Sequence, residues 1–177
     1  MFRILKKSLR TGVVTEPPPD TADAELEAVG TELKRLIDKR FAGSLAIREV
    51  DAGSCNGCEL EIHALNNPLY DIERFGVHFV ASPRHADALL VTGPVSRHME
   101  TALLRTWAAT PAPRFLIAAG SCAVDGGEFG ASYASRGGLR ELLPVNVAIP
   151  GCPPRPIELL RGILAALTAQ PKNPSSE

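Results

Sequence analysis

Four cysteines carry the chemistry in this chain: Cys55, Cys58, Cys122 and Cys152, spaced C-x2-C-x63-C-x29-C. Four thiols can pair as two disulfides, close around a zinc ion, or hold an iron–sulfur cluster. Disulfides are the weakest of the three. A chain of 177 residues buries a core without staples. Its start, MFRILKKSLR, is basic but runs into Thr11, Gly12 and Pro17–Pro19, not into the apolar stretch of a secretory signal. No twin-arginine pair is present either. Four unrelated cysteines, each a small buried hydrophobe, form the bland alternative; their placement in the chain argues against it.

That placement follows from the hydropathy pattern. Strands are expected at Leu45–Val50, Val77–Ala81, Ala88–Thr92, Arg114–Ala119 and Asn146–Ile149. Helices are expected at Ala24–Phe41, Glu59–Ala64, Met99–Ala108, Leu139–Leu142 and Ile157–Thr168. For the first helix Asp20, Thr21 or Asp23 is the candidate cap, with Lys39 and Arg40 suiting its C-terminal end. Strands alternating with helices predict an α/β domain, a mostly parallel sheet with helices on both faces. Every cysteine then follows the carboxyl end of a strand: LAIREV leads into DAGSCNGC, RFLIAA into GSC, NVAI into PGC. Loops at the carboxyl ends of parallel strands build the ligand crevice. Three loops thus bring four thiols to one edge.

A structural zinc site usually has two short hooks, whereas this chain has one hook and two lone cysteines. Such a wide cradle suits a [4Fe–4S] cube better than one ion. Gly53, Gly57, Gly120, Gly126, Gly127 and Gly151 allow close backbone approach, and Pro150, Pro153, Pro154 and Pro156 stiffen the last loop.

Composition removes other classes. The formal net charge of −1 supplies no general excess for neutralising phosphates, and 5% aromatic residues make a poor base-stacking platform, so nucleic acid is not an expected partner. No apolar run approaches the roughly 18–20 residues of a membrane span. The expectation is a domain that meets a membrane at its surface or through partners. The segment 1–10 has four basic and no acidic residues, and Phe2, Leu5 and Leu9 share one helical face. It reads either as a surface anchor for anionic lipid or an acidic partner, or as a frayed tail. The organisation expected is an arm, Pro-rich spacer and helix over 1–43, a cluster-binding domain over 44–169, and a loose tail over 170–177.

The cysteine motifs carry a resemblance. DAGSCNGCELEI (Asp51–Ile62), ADALLVTGPV (Ala86–Val95), the stretch from Ala119 through GSCAVDGG to Gly127, and PVNVAIPGCPPRP (Pro144–Pro156) resemble the family joining the 20 kDa subunit of respiratory NADH:quinone oxidoreductase with the small subunits of [NiFe] hydrogenases. The hook Cys55-Asn56-Gly57-Cys58 is similar to the hydrogenase side, since the respiratory subunit typically has two adjacent cysteines there. The closer resemblance is to the small subunits of membrane-associated, complex-I-related, energy-converting [NiFe] hydrogenases such as formate hydrogenlyase. It implies a flavodoxin-like three-layer domain with one [4Fe–4S] cluster on Cys55, Cys58, Cys122 and Cys152. It further implies an electron-transfer subunit with no complete active site of its own. Its partners would be a large catalytic subunit of NiFe or quinone-site type, a ferredoxin-like iron–sulfur subunit and membrane subunits, on the cytoplasmic face of the cell membrane. The alternatives are a cluster subunit passing electrons to quinone and a zinc-stabilised interaction module.

Around the thiols, Gly57, Gly120, Ser121, Gly151 and Arg155 are candidates for tuning the cluster, through backbone N–H groups, a hydroxyl and a guanidinium. Glu59 and Glu61 read either as proton or docking groups or as a solvated helix start. Asp125 reads as a turn residue. His63, His78, His85 and His98 have no ligand partner at useful spacing.

Overall fold

The structure, a computed structural model, describes residues 2–12 and 23–169; the Pro17–Pro19 spacer and the tail 170–177 lie outside the described residues. Five strands form one sheet: β1 (Leu45–Asp51), β2 (Val77–Phe79), β3 (Ala88–Thr92), β4 (Phe115–Ala119) and β5 (Val147–Ile149). Their spatial order is β2-β1-β3-β4-β5, and every pairing is parallel. This is the flavodoxin-type doubly wound order. All residues of β3 and β4 are buried, as expected for strands covered on both faces.

The described residues also form six α-helices: α1 (Phe2–Thr11), α2 (Ala24–Phe41), α3 (Gly57–Ala64), α4 (Arg97–Ala109), α5 (Ser121–Asp125) and α6 (Pro156–Thr168). Side-chain alternation along the strands divides the core in two. Ile47, Leu90, Phe115 and Ile117 face a layer made by α2, α3 and α6, whose Leu33, Ile37, Ile62, Leu160 and Ile163 complete it. Val50, Leu89, Val91, Leu116 and Ala118 face Leu103 and Trp107 of α4, Ala123 of α5, and Leu139. α1 buries none of its residues.

Local chemistry explains where the elements begin. Asp23 caps α2, its carboxylate accepting the Glu25 N–H at 2.9 Å. Near the other end of α2, Arg40 donates to the Leu167 carbonyl of α6 and lies 5.7 Å from the Phe115 ring centre. The expected turn of helix at Leu139–Leu142 is a 3-10 turn, Leu139–Glu141. Two further 3-10 turns, Ile72–Phe75 and Pro83–His85, flank β2. No described helix is long and apolar enough to cross a membrane.

Candidate metal centre

The first thiol loop leaves β1 at Asp51. Its carboxylate accepts the N–H groups of Gly53 and Ser54, both at 2.7 Å, and so bends the chain across the end of β3. The crossing depends on Gly93, which has φ +70°; a Cβ there would lie 2.5 Å from the Ser54 nitrogen. The loop then turns through Asn56, at φ 71°, into α3. Cys55 stays exposed and Cys58 is buried.

The other two loops meet it. Gly120 ends β4, and a Cβ there would lie 2.6 Å from the Cys58 sulfur and 3.5 Å from the Gly151 carbonyl. A Cβ at Gly57 would lie 3.6 Å from the Cys55 sulfur and 3.9 Å from Pro153. Backbone bonds tie the β4 and β5 loops together: the Gly120 N–H donates to Ile149 at 2.8 Å, and the Ser121 N–H to the Gly151 carbonyl at 2.8 Å. In return the Gly151 N–H donates to the Ser121 hydroxyl at 3.2 Å. Cys122 and Cys152 line an open cavity of about 420 Å³ with Ser121, Asp125, Gly127 and Glu128.

All four thiols are free, and Cys58 feels the other three. Burial, then the Glu59 carboxylate, then the other three sulfurs push the Cys58 thiol up to about 12. Burial also raises Cys122, followed by Cys152 and Cys55, while a hydrogen bond from the Glu128 backbone pulls it back down. Two thiols that burial and neighbouring sulfurs hold protonated, Cys58 and Cys122, fit a cationic inorganic group, whose charge would offset that of the thiolates. Among the described residues, no set of three or more His, Cys, Asp or Glu side chains is arranged to hold a metal ion.

The expected second layer divides into several roles. Ser121 is a brace between two thiol loops, and the Gly120 and Gly151 N–H groups bond within those loops. The N–H bonded to a cysteine sulfur belongs to Glu128, which nothing in the sequence singles out. Gly57 packs beside Cys55. Arg155 is 72% exposed and pairs with Glu158 at 3.2 Å, while the Glu158 carboxylate caps the Arg155 N–H at 2.8 Å. Asp125 is the expected turn residue, accepting the Gly127 N–H at 2.9 Å.

Glu59 departs from the solvated reading. It is 7% exposed, and both carboxylate oxygens are buried without a hydrogen-bond partner. Glu49 of β1 lies within electrostatic reach of it, and burial followed by the Glu59 charge raises the Glu49 carboxyl. Alternation could have revealed Glu49, because it shares a sheet face with buried Ile47.

The family model described as NADH ubiquinone oxidoreductase, 20 Kd subunit, matches residues 55–166. Formate hydrogenlyase subunit 7 of Escherichia coli is 44% identical over 151 residues, covering 85% of this chain and 58% of that protein. The chain thus spans little more than half of that relative. A probable membrane-bound hydrogenase subunit of Pyrococcus furiosus is 48% identical over 143 residues, covering 77% of this chain and 86% of its own length. A subunit of the NADH-quinone oxidoreductase of Carboxydothermus hydrogenoformans is 45% identical over 108 residues, covering 60% of this chain and 65% of its own. Among solved structures, a chain of the membrane-bound sulfane sulfur reductase, an archaeal respiratory membrane complex, matches with TM-score 0.63 and 33% identity, covering 77% of this chain and 74% of that one.

Proposed function

The chain belongs to the NADH ubiquinone oxidoreductase 20 kDa subunit family, and on that premise we propose that it is the electron-relay subunit of a membrane-associated oxidoreductase complex. In this reading Cys55, Cys58, Cys122 and Cys152 hold one [4Fe–4S] cluster. It exchanges electrons with the NiFe site of a partner large subunit, for proton reduction or hydrogen oxidation. The observation that carries the reading is four free thiols on three strand-end loops that approach closely: a Cβ at Gly120 would meet the Cys58 sulfur and the Gly151 carbonyl, and Cys122 and Cys152 line one open cavity. The preference for a cube over one zinc ion rests on the donor set: one short hook and two lone cysteines on separate loops.

A bound cluster would supply one-electron transfer. The residues of this chain supply the rest. Each thiol gives up its proton on loading, which is hardest for Cys58 beneath its burial and the Glu59 charge. The Glu128 N–H favours the anionic sulfur of Cys122. The Ser121–Gly151 brace holds two thiol loops in register, so little rearranges when charge changes. Exposed Cys55 and Cys152 mark the side open to a partner.

The relatives differ in what their complexes act on, and that leaves a second reading. The quinone oxidoreductase relative favours a partner pocket of quinone type, with the same cluster role for this chain. Nickel and iron measured together in the complex purified anaerobically through this chain separate the two. Nickel near one per complex with iron in excess is the expected result. Iron without nickel moves the partner to the quinone or another non-hydrogenase type.

A further inference from the structure

Helix α1 is folded, yet among the described residues nothing covers it. None of its residues is buried: Phe2 is 90% exposed, Ile4 77%, Leu5 59% and Leu9 80%. At 3.6 residues per turn, each residue advances about 100° around the axis. Arg3, Lys6, Lys7 and Arg10 then fall within an arc of about 100°, and Phe2, Leu5 and Leu9 within about 60° of one another beside it. Ile4 and Ser8 complete the side away from the cations. Segments 2–11 and 1–15 contain no acidic residue, although the whole chain has a net charge of −1.

We propose that α1 is an in-plane membrane anchor, its apolar side sunk among the headgroups of an anionic bilayer and its four cations on lipid phosphates. Charge complementarity selects the occupant. Four cations without one anion match a surface of a single sign, and the flexible stems of Lys6 and Lys7 can follow it while their ammonium groups stay in water. The apolar arc adds the insertion energy that a purely basic segment lacks. A lipid surface also demands no shape match, and beyond this segregation α1 offers none. The inference is independent of the cluster reading, because no α1 residue enters the core or the thiol loops.

The test is flotation of the full chain with vesicles of phosphatidylglycerol and phosphatidylcholine, against phosphatidylcholine alone, at low and raised salt. The chain is expected to float with the anionic vesicles only, and less so as salt rises. Replacing Lys6→Gln and Lys7→Gln together should lower partition roughly thirtyfold, about fivefold per charge. Leu5→Ser with Leu9→Ser should abolish flotation while leaving the melting temperature unchanged, because neither side chain is buried. Equal flotation with neutral vesicles, no flotation with either, or full binding by both double variants would overturn the proposal. Failure to float, with loss of partner subunits from the native complex in the same variants, would reassign α1 to an acidic protein surface.

Discussion

Cys152 shows how much one side chain carries in this account. It is exposed and belongs to no core cluster, so Cys152→Ser should leave the fold intact. The variant should nevertheless lose most of its iron, measured per chain beside the wild type. Glu49 gives a prediction about pH. Its carboxyl is raised by burial and then by Glu59, so the fold disfavours its charged form. Its contribution to stability is fully present below the unfolded carboxylate value, and is lost as pH rises through the higher folded value. Glu49→Gln should therefore raise the melting temperature of the metal-free chain by a few degrees at neutral pH. The gain should vanish below about pH 4, where both states of the wild type are protonated. A wild type and variant that melt together at neutral pH would contradict this. At this scale the sequence placed all four cysteines just after strand ends, where the structure has them as free thiols. The sulfur-directed N–H of Glu128 and the burial of Glu59 were not legible there: the first depends on the turn through Gly126 and Gly127, both at positive φ, and the second on how the short helix α3 packs into the fold.

The elements place the thiols through close backbone approach, and glycine is what permits it at Gly93 and Gly120. Gly93 and Gly130 both have positive φ, but a Cβ at Gly93 would strike the Ser54 backbone, whereas at Gly130 it would meet nothing within 4 Å. Gly130→Ala should cost about 1 kcal/mol and keep its iron. Gly93→Ala should cost roughly 2–4 kcal/mol and displace the loop carrying Cys55 and Cys58, with loss of iron. Chemical denaturation and iron assay of the pair read both effects, and equal behaviour would remove the role given to Gly93. Elements with a strong period or a full apolar run were legible to the residue: α2 over Ala24–Phe41 and β3 over Ala88–Thr92. The apolar pattern carries β2 two residues too far, to Ala81, though the Val80 N–H still reaches Ile47 at 2.9 Å. α5 leaves no mark in the pattern, since five residues are too few to show a helical period.

At the scale of the whole molecule, the sheet order decides the geometry of the site. The thiol strands β1, β4 and β5 are not all neighbours, because β3 stands between β1 and β4. The first loop has to cross the end of β3 to bring Cys58 beside Gly120 of the β4 loop. Composition could not foretell that crossing; it needs the parallel order β2-β1-β3-β4-β5 and the approach at Gly93. Family membership was legible from the cysteine motifs, whose quoted segments lie largely within the matched residues 55–166. α1 stands outside this machinery, so removing residues 2–11 should leave iron per chain unchanged while weakening attachment to membranes.

The central claim is that this chain holds an iron–sulfur cluster on four cysteines. The most direct measurement is iron, zinc and acid-labile sulfide in the full chain isolated anaerobically, wild type beside Cys152→Ser. About four iron and four sulfide per wild-type chain are expected, in a brown protein bleached by reductant, with most of both lost in the variant. One zinc per chain without sulfide, or a variant with undiminished iron and spectrum, would contradict it.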